Sequence, residues 1–199
     1  THLIAIVTDS TAKHRQSVIE KLIPNSTYMS NEDELGILTG ALTVVKYSKK
    51  SHINIDGILE GIRRIREWQK DTPQNIYVTL GELGSISLNK DGDLTCVSKY
   101  DVAYNRKPNT NGFGDAYASA ASLLEHFNIQ YGFKLDATQI QKVATAVVAS
   151  KVLSTNNEVS CDVVESLMKN NQPVYSHLGK VTYKEGENKN GKASLDEMN

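Results

Sequence analysis

The sequence predicts an α/β fold of three layers around a mostly parallel sheet. Three observations predict it. Short β-branched runs alternate with segments whose apolar residues recur at helical spacing, the pattern of strands covered by helices. A block of strand-like runs around the turn signal Asp91-Gly92 adds a hairpin to that alternation. A pair of glycines, Gly112 and Gly114, marks the junction of a polar loop with a long helix.

The elements follow in order. Residues 3–8 are a continuous apolar run, as in a strand buried on both faces. Val18, Ile19, Leu22 and Ile23 share a helical stripe that Pro24 closes. Thr27-Tyr28-Met29 reads as a short strand. Asn31 reads as a helix N-cap with Glu34 as its capping-box partner and Leu35 and Leu38 behind. Ile55, Ile58, Leu59, Ile62 and Ile65 line one face of a helix over 55–69. Arg63, Arg64 and Arg66 are expected on its solvated side, and Trp68 in or beside the core. Strands are predicted at 76–80, 86–88 and 94–97, and a loop over 105–112. Helices are predicted from about Gly114 to His126, over 137–153 with packing alanines, and from Cys161 to Met168 with Ser160 as cap. Domain and tail are expected to divide at 1–175 and 176–199, because few apolar residues follow Gly179.

Composition narrows the function classes. The 199 residues can bury a sizeable core, and 23% charged against 39% hydrophobic residues describe a globular chain. With 22 Lys+Arg against 23 Asp+Glu, no broad basic face is expected, so neither is a nucleic-acid partner. No apolar run reaches the roughly 20 residues of a membrane helix, so no membrane partner is expected. Cys96 and Cys161 are too few for a disulfide framework or a thiolate zinc site, which points to a reducing, cytoplasmic setting. The five histidines show no metal spacing, and Gly186–Ala193 imitates a P-loop without its strand or its final hydroxyl residue. The chain opens at Thr1 directly on an apolar run, which reads as a cut from a longer polypeptide.

The chemistry concentrates in Asn109-Thr110-Asn111-Gly112-Phe113-Gly114-Asp115-Ala116. Glycines at a helix start let amide hydrogens converge, and the helix end adds partial positive charge; together they form an anion site. Asp115, in the first turn, is placed to accept the proton of an attacking hydroxyl. Taken alone, the same residues also read as a turn and a carboxylate complementing the helix dipole.

This stretch resembles the Asp-Thr-x-Gly-Ala-Gly-Asp signature of the ribokinase-like (PfkB) carbohydrate and nucleoside kinases. Asn31-Glu32-Asp33-Glu34 resembles that family's Asn-x-x-Glu motif. Thr79-Leu80-Gly81-Glu82-Leu83-Gly84 resembles its Thr-x-Gly-x-x-Gly nucleotide turn, and 144–149 its alanine-rich helix beside the adenine. The resemblance runs in order over roughly residues 3–170. It implies a ribokinase-like fold lacking the N-terminal strands and lid, and an ATP-dependent phosphotransferase acting on a hydroxymethyl group of a sugar or nucleoside. Asp115 would be the general base, with the amides of Gly112, Phe113 and Gly114 holding the transferring phosphoryl group. Asn31 and Glu34 would organise Mg2+ and phosphates, with Glu34 as the metal-side carboxylate. Thr79, Gly81, Gly84, Thr110, Asn111 and Thr145 would line the nucleotide. ATP and Mg2+ are the implied cofactors, and the family pattern leaves room for K+. The implied partners are the sugar or nucleoside, ATP, and an N-terminal portion or second chain covering the open sheet edge.

Three departures stand out. Asn109 replaces an acid, Phe113 replaces a small residue, and Thr145 stands where Asn or His is common. They sustain an alternative reading: a catalytically inactive kinase-like module for nucleotide binding or interaction. A third reading is a ribokinase-like enzyme that spends ATP on dehydration.

Overall fold

A computed structural model describes residues 3–12, 14–47, 50–102, 112–154, 156, 158–170, 173 and 175–180. One six-stranded sheet organises them, in the order β1 (Leu3–Ile6), β2 (Ser26–Asn31), β5 (Ile76–Thr79), β6 (Ser85–Leu88), β7 (Asp93–Val97), β8 (Tyr175–Lys180). The pairs β1–β2 and β2–β5 are parallel, and the pairs from β5 through β8 are antiparallel. Four of the six strands, β1, β2, β5 and β7, therefore run in one direction. A separate antiparallel hairpin joins β3 (Val44–Tyr47) to β4 (Lys50–Ile53). No strand is predicted there, although Val44, Val45 and Tyr47 of β3 and Ile53 of β4 are residues that favour strands.

Alternate strand residues face two different cores. On one side Tyr28, Ile76, Val78, Ile86, Leu88 and Leu94 meet α3 (Glu32–Thr39) and α4 (Ile55–Gln69) through Leu35, Leu38, Ile58, Ile62 and Ile65. Burying each such side chain contributes about 1.5–3 kcal/mol. On the other side Met29 and Tyr77 meet α5 (Phe113–Tyr131) and α6 (Ala137–Leu153) through Tyr117, Ala121, Ile140 and Ala144. Two cores on opposite faces of one sheet are the predicted three layers.

Close approach on the first side depends on glycine. A Cβ on Gly57 would stand 1.9 Å from the Leu42 carbonyl oxygen, and one on Gly61 would stand 2.8 Å from Leu35. Two guanidiniums finish the C-terminus of α3. Arg15 Nε donates to the Leu38 carbonyl at 2.6 Å and Arg64 Nη1 to the Thr39 carbonyl at 2.7 Å. Both complete carbonyls that the helix leaves unpaired.

Several expectations shift. The first strand is an edge strand. It pairs only with β2 among the described residues, and Leu3 and Ile6 are each 46% exposed. A run of apolar residues is therefore not proof of burial on both faces. The helix at 18–23 is a short α1 (Asp9–Ala12) and α2 (Arg15–Ser17), followed by a π-helical segment Val18–Leu22 in which Ile23 N–H reaches the Val18 carbonyl at 3.0 Å. Helix α5 continues to Tyr131, five residues past its expected end, and stops where Gly132 takes φ 68°. Arg66 is buried, not solvated. It donates to the Asn89 carbonyl at 2.6 Å and to Gln69 Oε1 at 2.9 Å, and these acceptors satisfy the buried cation. Trp68 packs partly buried against the first core, with Arg15 6.0 Å from its ring centre. The sheet also runs past residue 175: β8 covers the far edge of β7, so 176–180 belong to the sheet and not to the tail. Helix α7 (Cys161–Asn170) forms as expected, while the P-loop-like segment 186–193 lies outside the described residues.

Candidate functional site

The carboxyl ends of β1, β2 and β5 and the first turn of α5 surround a cleft of about 200 Å³. Each contributes residues for a local reason. Strand β2 ends at Asn31, whose side-chain oxygen accepts from Glu34 N–H at 2.8 Å, while the Glu34 carboxylate accepts from Asn31 N–H at 2.8 Å. This reciprocal capping box fixes both side chains at the start of α3. Thr79 is the register partner of Asn31 in the parallel β2–β5 pair, so residues 48 positions apart stand side by side. Strand β1 brings Ile6, Val7 and Thr8 to the rim. Ser30 also lines the cleft, 8% exposed, with its hydroxyl buried on the same strand face as the Tyr28 phenol.

The opposite wall is the start of α5. Gly112 is its N-cap in the left-handed conformation, φ 73°, which a residue with a Cβ adopts only under strain. The Gly112 carbonyl accepts from Ala116 N–H at 3.0 Å, closing the first helical turn. That leaves the first amides of α5 without helical acceptors. A Cβ on Gly114 would meet nothing within 4 Å, so this position faces open space. Gly112, Phe113, Gly114 and Asp115 all line the cleft, with Asp115 exposed in the first turn.

Two tyrosines lie beneath. Tyr77 OH donates to Glu125 Oε1 at 2.7 Å, and Tyr117 OH donates to Ser85 Oγ at 3.1 Å. Burial holds both phenols protonated well above the ordinary tyrosine range, so at neutral pH they are neutral donors.

The cleft thus gathers Asn31, Glu34, Thr79, Gly112, Phe113, Gly114 and Asp115. Among the described residues it does not gather Gly81, Gly84 or Thr145. Gly81 (φ 53°) and Gly84 (φ 105°) shape the turn that joins β5 to β6. A Cβ on Gly84 would stand 2.1 Å from the Val97 carbonyl oxygen, so backbone packing accounts for that glycine. Glu32 lies beside Gly81, and burial raises its carboxyl above the usual range. Thr145 lines neither this cleft nor the larger depression described below. It is buried, and its hydroxyl donates to the Gln141 carbonyl at 2.7 Å. Ala144, Ala146 and Ala149 are buried beside it. Asn109, Thr110 and Asn111 lie outside the described residues.

Sequence reasoning missed Lys151. It sits in the last turn of α6, and its ammonium donates to the Gly112 carbonyl at 3.1 Å. No motif announces it; only the packing of α6 against α5 brings it there.

A second, more open depression of about 420 Å³ lies among Asp101, Val102, α6 and α7. Among the described residues no three His, Cys, Asp or Glu side chains could together hold a metal ion, and no helix is long and apolar enough to cross a membrane. Cys96 and Cys161 are both free.

No protein-family model matches the chain, and no curated protein matches it in sequence. Solved structures do. Ribokinase of Arabidopsis thaliana, complexed with ribose and ATP, superposes with a TM-score of 0.57 at 17% identity over 75% of this chain and 43% of its own. Phosphofructokinase-2 of Escherichia coli, in complex with substrates and products, gives 0.58 at 15% over 83% and 46%. Ribokinase of Thermotoga maritima gives 0.54 at 18% over 84% and 49%. The chain spans less than half the length of each. What these likenesses show is the fold: the chain is a ribokinase-like α/β unit, corresponding to part of the sugar kinases it resembles.

Proposed function

We propose that this chain is the ATP-binding and catalytic portion of a ribokinase-like kinase that phosphorylates a hydroxymethyl group of a sugar or nucleoside. The observation that carries the reading is the cleft itself. Seven motif residues from β2, α3, β5 and the start of α5, far apart in sequence, line one concavity with an exposed carboxylate at a helix N-terminus. The matched kinases whose structures hold ATP or sugar support it by fold.

Phosphoryl transfer asks chiefly for positioning and for compensation of charge on the equatorial oxygens. The Gly112–Gly114 turn supplies amides and the positive end of α5. Asp115 lies in the first turn of α5, where its carboxylate takes the proton of the attacking hydroxyl as the new O–P bond forms. Asn31 and Glu34 hold the opposite wall through their capping box. Mg2+ fits this donor set only as an ion carried mainly by phosphate oxygens and water, with Glu34 as the near carboxylate; it would neutralise charge on the triphosphate. The neutral phenols of Tyr77 and Tyr117 floor the cleft without adding negative charge.

The test is Asp115→Asn in the full-length protein. Turnover should fall by about 100- to 10,000-fold while ATP still binds. Turnover within a few-fold of wild type removes Asp115 as the base. The second reading, an inactive nucleotide-binding or interaction module, is favoured by the departures Asn109, Phe113 and Thr145 from the family signature. A phosphorylation assay over a panel of sugars and nucleosides separates the two, and product analysis separates both from ATP-driven dehydration.

A further inference from the structure

Lys151 and Gly112 depend on each other. The Lys151 ammonium lies 2.8 Å from the point a Cβ on Gly112 would occupy, and Asp115 Oδ2 lies 3.8 Å from the same point. Glycine at 112 therefore answers two demands, a left-handed φ of 73° and room for a cation. The ammonium donates to the Gly112 carbonyl, the group that also closes the first turn of α5, at 3.1 Å. A full positive charge thus stands at the amide turn, on the side of α5 that meets α6. A helix end offers only about half an elementary charge, whereas a triphosphate carries several. Charge-assisted donors are roughly twice as strong as neutral ones.

We propose that Lys151 is the positioning cation of this anion site: it pins the Gly112–Gly114 turn and supplies the charge that makes the turn bind polyphosphate. The proposal rests on the kinase reading of the cleft and deepens it. Lys151 acts through the turn and is not assigned a contact with the reacting atoms.

The experiment uses inorganic tripolyphosphate, which needs neither the sugar nor the adenine subsite, titrated into the 199-residue chain and three variants. Lys151→Arg keeps the charge, Lys151→Gln keeps a donor without charge, and Lys151→Met keeps neither. Thermal unfolding of each variant confirms that it is folded, and the Arg variant keeps the comparison meaningful if Met unfolds the chain. Wild type should bind. Gln and Met should each weaken binding by about tenfold or more, and Arg should stay within about threefold of wild type. Binding by Gln equal to wild type makes Lys151 a tether only and overturns the proposal, as does unchanged binding by Met. In both cases the anion site stands. No binding by wild type overturns the anion site and the role of Lys151 together. In the full-length kinase the same series should lower kcat with little change in the KM for the sugar.

Discussion

The two faces of the central sheet are built from alternate residues of the same strands, yet they solve different problems. Toward α3 and α4 the strands present Ile76, Val78, Ile86, Leu88 and Leu94, an almost wholly apolar surface. Toward α5 and α6 the same strands present Tyr77, Ser85, Ser87 and Thr95. There Gln141 of α6 accepts from Ser87 Oγ at 2.8 Å and Thr95 Oγ1 at 3.0 Å, and donates to Ser85 Oγ at 3.1 Å. Ser85 in turn receives Tyr117 OH from α5, and Tyr77 OH reaches buried Glu125. Apolar contact is strong and non-directional, while buried hydrogen bonds are weak in net terms and specify one orientation. The face that carries Gly112, Asp115 and Lys151 is the one held by directional bonds. The face without them is held mainly by burial, with Arg66 and Gln69 of α4 bonding backbone carbonyls at its margin.

This contrast can be broken from either side. The larger stability effect should come from the apolar face. Ile62→Ala in α4 removes a side chain that is 2% exposed. It should cost about 2–5 kcal/mol in urea unfolding, yet leave tripolyphosphate affinity of the folded chain unchanged. A loss of affinity in the fully folded variant would show that the cleft is tuned from both faces. Gln141→Leu should cost less, about 1–3 kcal/mol, because three hydroxyls lose a partner while Ser87 and Thr95 still bond each other at 2.9 Å. Its signature should lie elsewhere. Rotation of α6 carries Lys151 with it, so polyphosphate binding should weaken by about threefold or more, a little over half a kcal/mol. Equal binding in both variants would reduce the polar network to filler.

What the sequence made legible, and what it did not, follows the range of the interactions. Asn31 and Glu34 were readable because a capping box is local chemistry, closed within four residues. The β6–β7 hairpin was readable because its turn demands particular residues: Gly92 sits at φ 93°, and Asn89 Oδ1 accepts from Asp91 and Asp93 N–H. Gly112 was readable as a loop-to-helix glycine. Its need to admit Lys151 was not, since 39 residues separate the two. Arg66 was misread for the same reason: its position on α4 suits a solvated face, and the Leu88–Asn89 carbonyls, distant in sequence, draw it inward. Gly84 carried two meanings in sequence, nucleotide turn or strand punctuation, and the contact with Val97 accounts for the second. The edge position of β1 depends on what pairs with it, which no run of apolar residues encodes.

The smallest effect sharpens the contrast from outside both cores, on the solvent side of α4. Glu60 receives Arg63 Nε and Nη2 and Arg64 Nε, each at 2.8 Å. The Arg63 hydrogen bonds, with those of Arg64, hold its carboxyl down to about 2 from an ordinary 4.5. The folded state therefore binds this proton less readily than the unfolded chain does. The stability that Glu60 contributes is complete above the unfolded value and disappears as pH falls from about 4.5 through about 2. Exposed ion pairs of this kind are worth about 0.2–1 kcal/mol, so Glu60→Gln should lower the urea stability at pH 7 by no more than that. The gap between wild type and variant should close as pH approaches 2, and it should narrow in 1 M salt, where the Debye length is about 3 Å. A gap that persists unchanged at pH 2 would mean that Glu60 acts through the packing of its methylenes. The solvent side of α4 would then owe its order to burial, as the inner side does, and not to charge.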